Sequence, residues 1–375
     1  MQLSYGEIVR IKNIAEKFQI CDGEITHVIP IDSGRINSTY KIVVSREDDT
    51  TSYMLQKINV HVFNDVYAVM TNAVNITEHL RKKGKPTLEF IQVKSEYENN
   101  DRNCKELYFD GNDVYRMTKF IHAEVFQSIT RPNDMQLLGM AVGDFAIGLG
   151  DFDASRLCTT IPDFHNTKVR FENLLLSSVN NLLKNENDRV RESQDELKFA
   201  IENKKLFGII VDALIKGEIP LRVTHNDTKI NNVLFDRKTN LPRCLIDLDT
   251  VMSGSILYDI ADAIRSGANM SSEEETDKTK VRIDLELLKE FLIGFKKSAP
   301  DLLTAKEIEL IPIAIKIIPF ELGMRFLADY YDGDLYFGIV NKDDNLTRAR
   351  VQFALVRSIT DNMDKIEAIV AEIFR

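Results

Sequence analysis

Apolar positions near the start of the chain recur at helical spacing, with Ile8, Ile11, Ile14, Ala15 and Phe18 predicting a helix over residues 5–20. The pattern then shortens into strand-like runs. Residues 27–31 and 40–44 flank a small, polar segment, Asp32-Ser33-Gly34-Arg35-Ile36-Asn37-Ser38-Thr39, that reads as a tight connection, and a third strand is predicted at 52–58. Helical spacing returns over 65–83 through Val66, Val69, Met70, Ala73, Ile76 and Leu80, before strands predicted near 90–94, 107–109 and 114–121. The sum is a mostly antiparallel sheet with one inserted helix.

From about residue 122 the spacing is helical, beginning with Met135, Leu138, Val142, Phe145, Ala146 and Leu149. Further helices are predicted at 167–185, 193–215, 284–297, 304–318 and 346–374, and the charged stretch 271–280 reads as an exposed loop. One strand-rich island, 221–249, interrupts them, with strands at 232–236 and 243–247 joined by a turn at 237–242. A chain of 375 residues exceeds the usual single core. The expected organisation is therefore an N-lobe over 1–121 and a C-lobe over 122–375.

Composition narrows the class. With 44% hydrophobic and 28% charged residues the chain has the balance of a packed protein. A net charge of −10, without a block of Lys and Arg, argues against a nucleic-acid surface. Cys21, Cys104, Cys158 and Cys244 are scattered without the spacing of a zinc site or disulfide framework, which fits a reducing compartment. No leader-like apolar run opens the chain, and the greasiest stretch, 310–320, is broken by Pro312, Lys316 and Pro319. The expectation is a cytoplasmic protein that does not engage a membrane.

The chemistry is concentrated in the island, where Thr224-His225-Asn226-Asp227-Thr228-Lys229-Ile230-Asn231-Asn232 runs into one strand and Leu245-Ile246-Asp247-Leu248-Asp249 ends the next. Phosphoryl transfer needs one carboxylate to orient the attacking hydroxyl and take its proton, and oxygen ligands to hold Mg²⁺ on the phosphates. Asp227 suits the first role and the pair Asn232/Asp247 the second. A lone Asp and Asn on a loop usually serve a turn, but here His, Asp, Asn and a following Ile-Asp stand in the order that phosphoryl transfer requires. Asp249 reads equally as a second metal contact or a strand end.

These residues resemble the kinases of aminoglycosides, choline, homoserine and sugars. The H-G-D-x-x-x-x-N loop of that superfamily appears as HNDTKINN, with Asn226 where Gly is usual, and its I-D-x-[ED] as Ile246-Asp247-Leu248-Asp249. The resemblance implies an α+β, bilobal protein-kinase-like fold, ATP and Mg²⁺ as cofactors, Asp227 as base, a structural His225, and Asp259 of Tyr258-Asp259-Ile260-Ala261 as support for the catalytic loop. Within the superfamily the chain is most similar to N-acetylhexosamine 1-kinases, through LQKIN at 55–59, HNDTKINNVLFD at 225–236, LIDLDTVMSG at 245–254 and GMRFLADYYDGDLYF at 323–337. That similarity implies an amino-sugar acceptor phosphorylated at its anomeric hydroxyl, with Arg325 and Tyr336 on the sugar and Lys229 facing the transferred phosphate.

The nucleotide side departs from the protein-kinase pattern. Only Gly34 stands where three glycines are usual, so backbone amides with Asn37, Ser38 and Thr39 would cover the phosphates. Lys57 with Glu78 is the candidate for the strand-lysine and helix-glutamate pair, although Gln56 holds the place where relatives often carry the Lys. Adenine would meet backbone groups of the lobe connector around Phe120 and Ile121. Two rival readings remain: a kinase for another small alcohol, such as an aminoglycoside, choline or homoserine, and a nucleotide-binding pseudokinase, against which the intact Asp227, Asn232 and Asp247 argue.

Overall fold

The computed structural model describes residues 3–31, 37–47, 49–98, 104–184 and 189–375. The chain opens with α1 (Tyr5–Ala15), then lays down β1 (Glu24–Ile31), β2 (Ser38–Arg46) and β3 (Asp49–Ile58), crosses through α2 (Val66–Lys82), and returns as β4 (Tyr108–Asp110) and β5 (Asp113–Lys119). These strands form an antiparallel sheet in the order β1-β2-β3-β5-β4. The strand expected near 90–94 is reduced to isolated bridges, Phe90 with Thr118 and Val93 with Phe18.

Pleat parity gives the sheet two different faces. Leu55, Tyr115 and Met117 join Ile11, Ile14 and Phe18 in a core under α1. Ile58 and Val114 pack on the opposite face against Val66, Val69 and Met70 of α2. The far side of α2, through Ala73, Ile76 and Leu80, enters the large core of the helical part. Buried Asn72 fastens α2 there, donating to Val251 O at 2.9 Å and Cys158 O at 2.8 Å and accepting from Cys158 N.

The helical part comprises α3 (Pro132–Gly148), α4 (Thr167–Lys184), α5 (Arg189–Glu192), α6 (Gln194–Glu202), α7 (Ile209–Ile215), α8 (Ile256–Gly267), α9 (Leu285–Ser298), α10 (Ala305–Asp332), α11 (Asp344–Asp361) and α12 (Met363–Ile373). Within it, β6 (Arg222–Thr224) pairs with β9 (Met252–Gly254), and β7 (Val233–Phe235) with β8 (Pro242–Leu245). Helix α10 runs on well past the expected stop at 318. It carries Pro312 and Pro319 inside and is buried nearly all round, so surrounding packing on α4, α8 and α11 outweighs the hydrogen bonds the prolines remove. No described helix is long and apolar enough to cross a membrane.

Candidate active site

The turn after β6 holds the centre of the site. Asn226 sits at φ 66°, the left-handed region that Gly enters freely and Asn tolerates, which explains how Asn stands at this step of the loop. Its N–H donates to Asp259 Oδ1 at 2.7 Å and that of His225 to Asp259 Oδ2 at 2.9 Å, so the first turn of α8 grips the loop by two backbone groups. One turn further, Asp262 accepts from Thr228 N at 3.1 Å and is held by Arg265, while Thr228 Oγ1 donates to Asp259 O at 2.6 Å. Burial pushes the Asp259 carboxyl up to about 6, against the donors that favour its ionised form. Asp259→Ala would orphan two buried N–H groups, each costing about 1–3 kcal/mol. We expect it to lower the denaturation midpoint and kcat together, read by urea melts and steady-state rates.

His225 is fully buried and braces the loop to the neighbouring hairpin. Asp227 N–H donates to its Nδ1 at 3.3 Å, which leaves Nε2–H to donate to Ile246 O at 2.9 Å. Both ring nitrogens are thus engaged with the backbone, and the geometry favours a structural use of His225.

Asp227 projects between two donors. Lys229 Nζ lies 2.7 Å from Oδ1, and Asn232 Nδ2 donates to Oδ2 at 2.8 Å and to Asp227 O at 2.9 Å. Burial raises the Asp227 carboxyl, but the charge and hydrogen bond of Lys229, with Asn232, more than offset this and hold it below the ordinary value. The reciprocal charge raises Lys229. A carboxylate kept ionised and oriented is what a base toward an acceptor hydroxyl needs.

The β7–β8 hairpin aligns the second half of the site. Val233 pairs with Leu245, and Ile246 N donates to Asn232 O at 2.8 Å, so Asn232 and Asp247 leave the hairpin at the same end. Asp247 takes the left-handed conformation at φ 61°, a strained choice for a non-glycine residue and one that clusters at functional sites. Its carboxylate has no hydrogen-bond donor among the described residues. Asp247 is exposed at the surface of the cleft, yet desolvation of its carboxyl by the groups around it, then the charges of Asp249 and Asp227, push it up to about 7, and Arg116 and Lys229 oppose this only in part. A crowded, donor-free carboxylate beside the oxygen of an amide whose nitrogen is already spent is a fitting donor set for Mg²⁺, which takes one or two carboxylates and completes its shell with water and phosphate. Asp249 differs: it is buried, ion-paired to Arg116, and accepts from Asn37 Nδ2 at 2.7 Å.

On the nucleotide side, Gly34 lies outside the described residues. Asn37 also accepts from Asn59 N at 3.0 Å, Ser38 is exposed at the start of β2, and buried Thr39 accepts from Gln56 Nε2 at 3.3 Å. The expected Lys57–Glu78 pair is not formed. Lys57 falls on the α1 face of β3, one residue out of phase with Gln56, and binds Asp113 at 2.7 Å, while Glu78 approaches Lys82 on the outside of α2. On the inward face Arg116 stands directly across from Gln56 in the β3–β5 ladder, and Lys41 of β2 shares that face with its Nζ 4.3 Å from the Phe120 ring centre. A charged residue inside the run Val114-Tyr115-Arg116-Met117 was the available signal. The connector carries Phe120, whose N–H donates to Ser52 O, and half-buried Ile121, and Glu124 then pairs with Phe235 of β7.

Arg325 and Tyr336 meet at the far end of α10. The guanidinium of Arg325 lies 4.8 Å from the Phe164 ring centre, 5.4 Å from that of Phe337 and 5.9 Å from that of Tyr336. Among the described residues it has neither a hydrogen bond nor a carboxylate partner. Asp329 shapes the loop that brings the aromatic pair there, accepting from the N–H groups of Leu335, Tyr336 and Phe337. Beside them His165 binds Glu321 at 3.1 Å and lies against Tyr258 of α8, which links this cluster to the helix that grips the catalytic loop. In the sequence His165 shows no ligand spacing and reads as a surface or satisfied core residue, and Glu321 carries no motif.

The profile of the phosphotransferase enzyme family matches residues 27–288, more than half of the chain. Among solved structures the chain is similar to an aminoglycoside phosphotransferase from Alicyclobacillus acidocaldarius, at 16% identity and a TM-score of 0.62 over 99% of this chain and 98% of that one. It is also similar to a choline kinase from Cryptosporidium parvum, at 16% identity and TM-score 0.58 over 98% and 99%, and to a spectinomycin phosphotransferase in complex with ADP and spectinomycin, at 15% and 0.55 over 97% and 100%. The architecture is thus the bilobal kinase-like fold, with its antiparallel five-stranded sheet followed by a helical region.

Proposed function

The chain belongs to the phosphotransferase enzyme family, and from that premise we propose that it is an ATP- and Mg²⁺-dependent kinase that phosphorylates the anomeric hydroxyl of an N-acetylhexosamine. The observation that carries the kinase reading is Asp227, ionised and aimed by Lys229 and Asn232, with the donor-free Asp247 beside it. Asp227 orients the acceptor hydroxyl and accepts its proton as the new oxygen–phosphorus bond forms and the bond from the γ-phosphorus to the ADP oxygen breaks. Asn232 and Asp247 would hold the cation, which when bound neutralises charge on the phosphate oxygens. Lys229, already at the base, is placed to meet the transferred group. Rate then comes from positioning and electrostatics, with no covalent enzyme intermediate. In this reading residues 1–121 act as the nucleotide-clamping lobe, 122–375 carry the acceptor, the backbone near Phe120 and Ile121 reads adenine, and the protein works in the cytoplasm.

The acceptor assignment rests on Arg325. A guanidinium without a carboxylate partner among the described residues, framed by Phe164, Tyr336 and Phe337, offers hydrogen bonds and apolar walls to a neutral sugar. Arg170 lies close enough that, after burial, the Arg325 charge is the next influence lowering it. Two guanidinium groups here disfavour a cationic acceptor such as choline or an aminoglycoside. Arg325→Ala is expected to raise KM for N-acetylglucosamine about tenfold or more, a loss of about 1.4 kcal/mol, with KM for ATP little changed. An unchanged sugar KM, or choline proving much the better acceptor, would remove the sugar from the proposal and leave the kinase in place.

A further inference from the structure

A row of polar side chains crosses the inward face of the sheet. Thr39 on β2, Gln56 on β3 and Arg116 on β5 are cross-strand neighbours, and they are bonded in series: Gln56 Nε2 to Thr39 Oγ1 at 3.3 Å, and Arg116 Nε to Gln56 Oε1 at 3.0 Å. The row ends on Asp249, which meets two groups from the sheet side: the Arg116 guanidinium is ion-paired with Oδ1, an oxygen that accepts no hydrogen bond among the described residues, and Asn37 Nδ2 donates to Oδ2 at 2.7 Å. Arg116 and Asp249 are each only 3% exposed, so the pair is almost completely withdrawn from water.

This arrangement is an unusual use of a carboxylate two residues from Asp247. A buried ion pair is seldom the most stable filling for its space, because desolvating both charges offsets most of their attraction. A guanidinium fork with an amide beside it is also the donor set that proteins use for phosphate oxygens. Lys57, meanwhile, is held on the other face by Asp113. Resting on the nucleotide reading above, we propose that Arg116, with Asn37, is the phosphate-positioning pair of this site, and that Asp249 occupies it as a stand-in anion until nucleotide phosphate displaces the carboxylate. Gln56 then has a defined use. It fixes Nε of Arg116, which keeps the outer edge of the fork turned toward Asp249 and the incoming phosphate.

The exchange predicts opposite signs for the two partners. ADP binding is measured by calorimetry in EDTA, so that no metal contributes. Arg116→Met is expected to weaken it about tenfold or more, the scale of losing a charge-assisted contact. Asp249→Asn is expected to tighten it severalfold, because the competing anion is gone. In the Arg116→Met background, Asp249→Asn should give no such gain, and that double variant also removes both buried charges, which guards against misfolding of the single one. Arg116→Lys should recover part of the affinity, and Lys57→Ala should bind ADP as the unaltered protein does. A strut with only a structural role would give losses of the same sign in both single variants. Equal ADP affinity in Arg116→Met and the unaltered protein, or weaker binding in Asp249→Asn, overturns the inference. An unaltered protein that binds no ADP even with Mg²⁺ overturns the nucleotide reading itself, and this inference with it.

Discussion

Asp227→Asn is expected to lower kcat by about 10²–10⁴-fold, the range that a positioned general base contributes, while ATP affinity stays within about threefold. The amide matches the carboxylate in shape and can keep its places beside Lys229 and Asn232, so the loop has no reason to move. What it lacks is the capacity to take a proton. The carboxylate is held below its ordinary value, so the base is already ionised across the neutral range and its loss is not masked by titration. Turnover near that of the unaltered enzyme would mean that the acceptor hydroxyl is activated elsewhere.

The second large effect lies at Asp247. Removing its side chain takes away the carboxylate that would anchor the cation, and if only about 3 kcal/mol of charge stabilisation is lost, the rate falls about a hundredfold. Asp247→Asn separates this function from stability. In the metal-free protein the Asp247 carboxyl is pushed up to about 7, so the folded state binds its proton more tightly than the unfolded chain does. Stability from this group is therefore present below about pH 4 and is lost as pH rises toward 7. Asn tolerates the left-handed backbone and carries no charge. The metal-free Asp247→Asn protein should thus melt at a higher temperature than the unaltered one at pH 8, and the difference should shrink at pH 5, while its Mg²⁺-dependent activity is lost. A lower melting point at pH 8 would remove charge crowding from the explanation.

The clustering of the island's side chains was legible because their spacing is local. Asp227, Lys229 and Asn232 lie within six residues of one another, and a single hairpin returns Asp247 to the same end. Helix α10 was misjudged because proline propensity is a local rule, and a helix packed on several sides can override it. The nucleotide side was harder for a different reason. A strand's period of two makes Gln56 and Lys57 opposites, and sequence alone left the phase of β3 open, so the choice of Lys57 reversed the face. Arg116 and Asp249 are more than a hundred residues apart and form no motif. The cradle of Asp262 and Thr228 followed the same logic as Asp259, one turn along α8, and was within reach of i, i+3 spacing.

The most direct test is transfer itself. Purified protein is incubated with ATP, Mg²⁺ and, separately, N-acetylglucosamine, N-acetylgalactosamine, choline, ethanolamine, homoserine and aminoglycosides, and the products are read by ³¹P nuclear magnetic resonance. The expected result is Mg²⁺-dependent formation of a phosphate ester on the anomeric oxygen of the N-acetylhexosamines, abolished by Asp227→Asn. Phosphate on the 6-hydroxyl, or preferred transfer to choline or an aminoglycoside, would contradict the sugar assignment, and ATP left intact with every acceptor by a protein that binds it would contradict the kinase.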